Sequence, residues 1–252
     1  MRVKATIEYD GTHYAGWQRQ PDQPTVQGEI ERALAVALRR PTRVVAAGRT
    51  DAGVHALGQV AAFDVDDTVD LRRLLASVNA LTPGDIAVVS LEPAAEDFDP
   101  RRHARSRTYE YTIVSGRPPS PLLRDRSWYV GRRLDPDRLE RMAAAVCGEH
   151  DFRAFRASNC DSPSTVRYVF ESRWTIEDGI YRYRITANAF LKQMVRILVG
   201  TMVDVCLGHV EERVFFSLLE GGDRRHAGRT APARGLILLA IDYGESESSR
   251  GA

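Results

Sequence analysis

The most distinctive part of this sequence reads Gly48-Arg49-Thr50-Asp51-Ala52-Gly53-Val54-His55-Ala56. A β-like segment at residues 43–47 precedes it, and an apolar stretch at residues 59–63 follows it. The two glycines permit the positive-φ turns and the close backbone approach that a loop around a ligand needs. Glycine and aspartate also form ordinary turns, so the loop alone leaves both interpretations open. In a ligand-binding loop, Asp51 is a candidate nucleophile, proton carrier or metal ligand.

Composition limits the class of protein. The 252 residues are 43% hydrophobic, which suffices for one large domain or two modest ones. The net charge is only +1, so overall basicity does not indicate a nucleic-acid partner. The three cysteines share no CxxC spacing and the six histidines form no HExxH motif. This pattern argues against a disulfide framework or a zinc site and favours a reducing cytoplasm.

The sequence also lacks the features of a secreted or membrane protein. It begins with a charged, alternating strand rather than an apolar signal segment. The most apolar stretch, residues 190–207, carries Lys192, Arg196 and Asp204. Charges at this density favour a buried helix over a membrane span. We therefore expect a cytoplasmic protein.

Hydrophobic periodicity predicts two successive blocks of strands and helices. The predicted elements of the first block are strands at residues 2–9, 43–47 and 86–91 and helices at 25–40 and 71–80, with an apolar stretch at 59–63. Those of the second block are strands near 109–113, 168–176, 180–188 and 236–241 and helices at 136–147, from 190 onward and near 211–220. Thr25 is the expected N-cap of the first helix, and Asp178-Gly179 is a strong hairpin signal.

These elements predict an α+β protein of two lobes with largely antiparallel sheets. Residues 97–103 read as a linker, so we place the first lobe at residues 1–103 and the second at 104–243. The remaining segment, 244–252, is polar, and we expect it to be disordered.

Four separate motifs resemble the TruA family of tRNA pseudouridine synthases. They are the opening Tyr9-Asp10-Gly11 followed by Gly16-Trp17-Gln18-Arg19-Gln20, the Asp51 loop, the motif around Tyr109 and the motif around Arg196. They occur in the family's order, and the resemblance extends from Ile7 to about Tyr243. It implies two lobes of related, RRM-like α/β topology whose sheets join into one platform around a basic cleft.

The resemblance also implies an activity. Family members are isomerases of tRNA processing that convert uridine to pseudouridine at positions 38, 39 and 40 of the anticodon stem-loop. They need no cofactor and no metal, and they act as homodimers. By the match of motifs, Asp51 is the nucleophile. A carboxylate can add to C1′ of the ribose or to C6 of the ring, or stabilise a cationic sugar, and the sequence does not distinguish these routes.

Two further residues are candidates for catalysis. Arg196 lies in a predicted helix that is apolar nearly all round, one turn after Lys192, so the two are expected to share a polar face. A buried arginine needs a partner, and a structural carboxylate would serve. The resemblance implies instead that Arg196 pairs with Asp51 and keeps it ionised. It likewise implies that Tyr109 stacks on the target base and assists proton transfer at carbon 5, whereas Tyr111 belongs to the core.

Candidate RNA contacts come from four places. The resemblance implies that Arg49 enters the space vacated when the target base leaves the stack. Arg101 and Arg102 belong to an arginine-rich segment that is either a solvated linker or a phosphate contact. Trp17 and Arg19 suit stacking on unpaired bases, although Trp17 could equally cover the core. Lys192 is a further candidate. His55 is assigned a structural role.

Two other functions are compatible with parts of the pattern. A non-catalytic RNA-binding protein of two RRM-like lobes would leave the Asp, Tyr and Arg residues without a purpose, and the RNP1-type string is absent. A carboxylate-based nucleoside hydrolase would need a second acidic residue near Asp51, and the sequence offers none nearby.

Overall fold

The computed structural model of the protein describes residues 1–244. Its strands in chain order are β1 (Arg2–Tyr9), β2 (Val45–Ala46), β3 (His55–Asp64), β4 (Ile86–Pro93), β5 (Ser106–Ser115), β6 (Trp128–Val130), β7 (Gly148–Asp151), β8 (Val166–Glu177), β9 (Ile180–Ala187) and β10 (Leu236–Asp242). Its α-helices are α1 (Val26–Leu38), α2 (Leu71–Leu81), α3 (Pro136–Val146), α4 (Met194–Cys206) and α5 (Glu212–Leu219). Short 3-10 helices lie at Pro121–Leu123, Phe152–Phe155, Arg224–His226 and Ala233–Gly235. Most of the predicted polar tail at 244–252 lies outside the described residues.

The predicted α+β class is confirmed. The pairs β1–β3, β1–β4, β2–β3, β5–β9, β7–β8 and β8–β9 are antiparallel, while β5–β6 is parallel. The chain forms two compact units. The first unit is Met1–Arg105 together with the segment from Leu238, and the second is Ser106–Ile237. The lobe boundary predicted from sequence differs, because it assigned all of residues 104–243 to the second lobe.

The first unit is built on strands in the order β4-β1-β3, with β2 and β10 also beside β3. Alternate residues of β1 are buried, as the sequence predicted: Val3, Ala5, Ile7 and Tyr9. Helix α1 begins where the Thr25 side chain accepts a hydrogen bond from the Gly28 amide, which confirms the predicted N-cap. The helix ends at Arg39, whose φ of +55° leaves the helical region.

Strand β2 is shorter than predicted. Residues 43–47 were expected to be extended, but only Val45 and Ala46 pair, with Ala62 and Ala61. The reason lies in α1: the Val44 amide donates to the Glu31 carboxylate and the Val44 carbonyl accepts from the Gln27 side chain. Side chains of the helix therefore satisfy backbone groups that would otherwise extend the strand.

The second unit is built on strands in the order β5-β9-β8-β7, with β6 also beside β5. The predicted hairpin between β8 and β9 is confirmed, since Asp178 and Gly179 have φ values of +49° and +74°. Inward-facing residues of β5 and β9 are fully buried: Tyr111, Ile113, Tyr183 and Ile185. Strands β6 and β7 were not predicted.

The predicted start of the apolar helix is wrong. Helix α4 begins at Met194 rather than Phe190, because Gln193 adopts φ +62° and the Lys192 carbonyl accepts a hydrogen bond from the Ala157 amide. Lys192 therefore precedes the helix and does not share a helical face with Arg196. Within residues 1–244, no helix has both the length and the apolar character that crossing a bilayer requires.

Candidate active site

Hydrogen bonds from residues 9–17, near the N-terminus, hold the Asp51 loop on the side that faces the core. The Tyr9 hydroxyl and the Thr50 hydroxyl are hydrogen-bonded at 2.8 Å in a buried position. The Trp17 amide donates to the Thr50 carbonyl at 3.1 Å, and the Gly53 amide donates to the Tyr14 carbonyl at 3.3 Å. Three bonds from a distant segment thus fix the backbone on both sides of Asp51.

Glycine is required at some of these positions and not at others. Gly16 has φ +101°, and a Cβ there would lie 2.6 Å from the Thr50 carbonyl oxygen. A Cβ on Gly11 would collide with the Val54 carbonyl oxygen. Gly53 has φ +76° and lies in a turn. A hydrogen bond from the Val54 amide to the Asp51 carbonyl closes this turn. Gly48 has neither a positive φ nor a neighbour within 4 Å, so only one of the two flanking glycines supplies the expected turn.

The residues of this loop differ in solvent exposure, and those that anchor the loop are the buried ones. Thr50 and Val54 are buried, Asp51 is half-buried and Arg49 is exposed. His55 is only 4% exposed, and its Nδ1 lies 3.1 Å from the Gly11 amide and 3.1 Å from the Asp10 carboxylate. The imidazole therefore joins the end of the loop to the Asp10-Gly11 turn, which fits the structural role assigned to it.

The structure corrects the interpretation of Trp17. This side chain is 2% exposed and packs on Tyr9 with ring centroids 5.9 Å apart. It therefore covers the core beneath the Asp51 loop and is not available to stack on RNA bases. Arg19, three residues from the Gly16 turn, is exposed and pairs with Glu31 at 3.4 Å.

Arg101 and Arg102 lie on a turn that a carboxylate holds. Their backbone amides both donate to Asp99, at 2.8 and 2.9 Å. The amide of Arg102 and that of Arg101 hold the pKa of Asp99 below its ordinary value, the Arg102 bond contributing most. Both arginine side chains are exposed at the surface. Two backbone amides therefore fix this turn, and the Arg102 Nε also lies 3.8 Å from the Asp99 carboxylate.

In the second unit, Tyr109 is half-buried on β5. Its ring meets Phe190 nearly edge-on, with centroids 5.0 Å apart and an interplanar angle of 83°. Arg107 donates to the Asn188 carbonyl at 2.8 Å, which anchors the segment that carries Phe190. Tyr111 is fully buried and donates to the Pro232 carbonyl, which confirms its assignment to the core. Burial, more than any neighbouring charge, raises the pKa of Tyr111.

Arg196 lies in the first turn of α4 and is half-buried. Its Nε donates to the Ala231 carbonyl at 2.8 Å, while the Ala231 amide donates to the Arg196 carbonyl at 3.0 Å. This reciprocal pair fixes the orientation of the guanidinium. The contact is possible because Gly200, one turn on, has no side chain: a Cβ there would collide with the Arg229 carbonyl oxygen.

The acidic residue on the same helix has another partner. Asp204 is 4% exposed, and its carboxylate accepts from both the amide and the Nε of Arg229, at 2.9 and 2.8 Å. Asp204 is thus a structural carboxylate committed to Arg229, and it also contacts His209 at 3.1 Å. Lys192 is exposed. Among residues 1–244, no group of three or more His, Cys, Asp or Glu side chains is arranged to hold a metal ion.

Comparison with known proteins identifies the family. A family model described as tRNA pseudouridine synthase matches residues 5–101 and 142–244. The chain belongs to the tRNA pseudouridine synthase family. The family match includes Arg49, Asp51 and Arg196, whereas Tyr109 lies in the interval between the two matched segments.

Relatives in the tRNA pseudouridine synthase family match over almost the whole chain. A tRNA pseudouridine synthase A from Geotalea uraniireducens is 43% identical over 96% of this chain and 99% of its own length. One from Pelobacter propionicus is 44% identical over the same shares, and one from Myxococcus xanthus is 41% identical over 99% of this chain and 94% of its own. A solved Cbf5-Nop10-Gar1 complex contains a chain with a TM-score of 0.37 and 10% identity, covering 93% of this chain and 57% of that one, a similarity too low to inform the fold.

The structure also reveals residues that sequence reasoning missed. Tyr14 and Phe190 contact the two candidate regions, yet neither had been singled out. The Tyr14 carbonyl accepts a hydrogen bond from the Gly53 amide. The Tyr14 hydroxyl donates a hydrogen bond to the Asp85 carboxylate at 2.6 Å. Burial is the main reason that the pKa of Tyr14 is raised. A signal was present in the sequence, because Tyr14 lies between the two motifs near the N-terminus and Phe190 lies six residues before Arg196.

Proposed function

We propose that this chain isomerises uridine to pseudouridine at positions 38, 39 and 40 of the anticodon stem-loop of tRNA. The observation that carries the proposal is membership of the tRNA pseudouridine synthase family over nearly the full length of the chain. The geometry of the first unit supports it, because a half-buried carboxylate is presented on a loop whose backbone is fixed from behind.

We assign Asp51 as the nucleophile. During the reaction the bond between N1 of uracil and C1′ of ribose breaks, the base turns, and a bond between C5 and C1′ forms. The proton that C5 loses is balanced by the proton that N1 gains, so the reaction involves no net oxidation or hydrolysis. A carboxylate can support it by adding to C1′ or C6 or by stabilising a cationic sugar. A fixed backbone reduces the reorganisation that such an attack would require.

Three further residues are proposed to take part in the reaction, two at the target nucleotide and one beside Asp51. Tyr109 would stack on the base and assist proton transfer at C5, with Phe190 holding its ring from the side. Arg49, exposed next to the nucleophile, would fill the space that the base leaves in the stem. Arg196 would pair with Asp51 and keep it ionised. This assignment rests on family membership, and the bond to the Ala231 carbonyl shows only that the Nε edge of the guanidinium is fixed.

The remaining proposed contacts are electrostatic. Exposed cations in both units are proposed to contact the RNA backbone: Arg19, Arg101, Arg102 and Lys192. Trp17 is excluded from this group because it is buried. We further propose that the enzyme acts in the cytoplasm as a homodimer, a state that sedimentation of the purified protein would test.

The test is an isomerisation assay with a matched control. The variant Asp51→Asn should fold and bind tRNA but form no pseudouridine, because a neutral amide cannot act as the nucleophile. Asp22→Asn is the control: Asp22 is exposed with φ +55°, a conformation that asparagine tolerates, and full activity is expected. Carbodiimide labelling and primer extension should stop at positions 38–40 with the wild type and the control. Normal labelling by Asp51→Asn would contradict the assignment, and stops elsewhere would contradict the proposed positions.

A further inference from the structure

The second unit contains a cavity that the proposed chemistry does not use. Its volume is about 440 Å³, and its lining is polar, basic and rich in glycine: Arg153, Arg156, Ser158, Gly221, Gly222, Asp223 and Arg224. The lining comes from two segments, one that begins inside the 3-10 helix at Phe152–Phe155 and continues past it, and another that follows α5.

Two of the charges that line the cavity are already neutralised. Arg153 pairs with Asp151, and its Nε lies 2.6 Å from that carboxylate. Asp223 pairs with Arg225, whose Nη2 lies 2.7 Å from the carboxylate. These two lining residues therefore contribute little net charge to the cavity.

The other two cations have no carboxylate partner within residues 1–244. The Arg224 guanidinium donates to neutral acceptors, including the Gly228 carbonyl at 3.0 Å and the Thr230 hydroxyl at 3.2 Å. Its burial without a counter-charge lowers its pKa below the ordinary value. Arg156 is half-buried and, in the described part of the chain, makes neither a hydrogen bond nor an ion pair. A guanidinium without a protein partner is free to bind an anion that enters the cavity.

The shape and chemistry of this cavity suit a phosphate group. Guanidinium groups bind phosphate oxygens through two parallel N–H groups, and the Ser158 hydroxyl can donate a further bond. Gly221 and Gly222 line the cavity with backbone alone. The residue after Arg156 bonds to the Lys192 carbonyl at 3.0 Å, which places the cavity beside another proposed RNA contact.

We propose that this cavity, centred on Arg156 and Arg224, binds a phosphodiester of the RNA substrate's backbone. The inference rests on the proposed function, because that function supplies an RNA ligand. It adds a binding site outside the motifs that carry the family resemblance.

The experiment measures the salt dependence of tRNA binding. Each phosphate contact adds roughly 0.7 to 0.9 to the slope of log K against log salt concentration. Arg156→Gln should therefore reduce the slope by about one, while Arg156→Lys should restore most of it. Because Arg156 makes no hydrogen bond or ion pair within residues 1–244, both variants should fold like the wild type. Arg133→Gln, an exposed arginine of the same unit outside the cavity, is the matched control and should leave the slope unchanged.

Three results would overturn the proposal. An unchanged slope for Arg156→Gln would place the cavity outside the RNA footprint, and an equal loss for Arg133→Gln would indicate a general charge effect. In a parallel arm, inorganic phosphate at constant ionic strength is tested for thermal protection. Protection that depends on Arg156, with unchanged tRNA slopes, would mean that the site takes free phosphate and not RNA. Binding is read separately from pseudouridine formation, so an inactive wild type would contradict the proposed function alone.

Discussion

Replacing Gly16 with alanine should displace the Asp51 loop while leaving every side chain proposed to meet RNA unchanged. The new Cβ would lie 2.6 Å from the Thr50 carbonyl oxygen and 3.1 Å from the Ala52 amide nitrogen, closer than van der Waals contact allows. Both neighbours are backbone atoms, so no side chain can rotate away. The loop itself would have to move, and the bond from the Trp17 amide to the Thr50 carbonyl would lengthen with it.

The expected cost has two parts. Alanine at a φ of +101° adds strain of about 1 to 3 kcal/mol. Overpacking against backbone adds about 1 to 3 kcal/mol more, although movement of the loop relieves some of it. We therefore expect Gly16→Ala to lower the free energy of unfolding by about 3 kcal/mol, which a typical domain survives. A shift of the loop by about 1 Å should reduce kcat about 100-fold.

Gly48→Ala is the matched control, because Gly48 flanks the same loop with open space around its Cα and no positive φ. At such a position alanine should stabilise the protein by about 0.4 to 1 kcal/mol, by restricting the unfolded chain. The two substitutions add the same methyl group, yet their effects on stability should have opposite signs. Urea unfolding measures both, and single-turnover assays below the transition measure kcat.

Two outcomes would refute this reasoning. Equal urea midpoints for the two variants would mean that the contact between Gly16 and Thr50 is not as close as described. A destabilised Gly16→Ala with wild-type kcat would mean that this contact does not position Asp51.

Three further predictions concern the proposed reaction. Activity should survive EDTA and need no added nucleotide, since the isomerisation has no redox or hydrolytic step; a strict requirement for a divalent ion that polyamines cannot replace would contradict this. Replacing Arg101 and Arg102 together with glutamine should reduce the salt slope of tRNA binding by about one unit per lost phosphate contact, while Asp99 keeps the turn folded through the two amides. Arg196→Met and Asp51→Asn should show a coupling of about 1 to 3 kcal/mol in a double-mutant cycle on thermal unfolding; additive effects would exclude direct pairing.

The elements that the sequence predicted well have local determinants. Helix α1 starts at its Thr25 cap, and the β8–β9 hairpin turns at Asp178-Gly179, so both could be recognised from a few adjacent residues. The start of α4 could not, because it depends on a bond between Ala157 and Lys192, which are far apart in sequence. The short β2 similarly depends on α1, whose Glu31 and Gln27 bind the backbone of Val44.

In the candidate site, too, the features set by adjacent residues could be predicted, whereas those set by residues distant in sequence could not. Asp51 stood out because its loop is unusual in composition, and the family comparison includes it. The environment of Trp17 could not be read from its neighbours. An exposed-looking loop of polar residues surrounds it in sequence, yet its ring packs on Tyr9 from β1. The edge contact between Tyr109 and Phe190 likewise joins residues that are 81 positions apart in sequence.

The motifs at residues 9–20 and 48–56 therefore act together in the first unit, because residues of the first motif anchor Thr50 in the second. Tyr9, Gly16 and Trp17 all contact Thr50, directly or by leaving space for it, and none of them is exposed enough to meet a substrate. Thr50 is buried, whereas Arg49 on one side of it is exposed and Asp51 on the other is half-buried. Anchoring the central residue by both its carbonyl and its hydroxyl leaves its two neighbours pointed away from the core. This explains why a short run of polar residues needs aromatic and glycine partners more than thirty residues earlier in the chain.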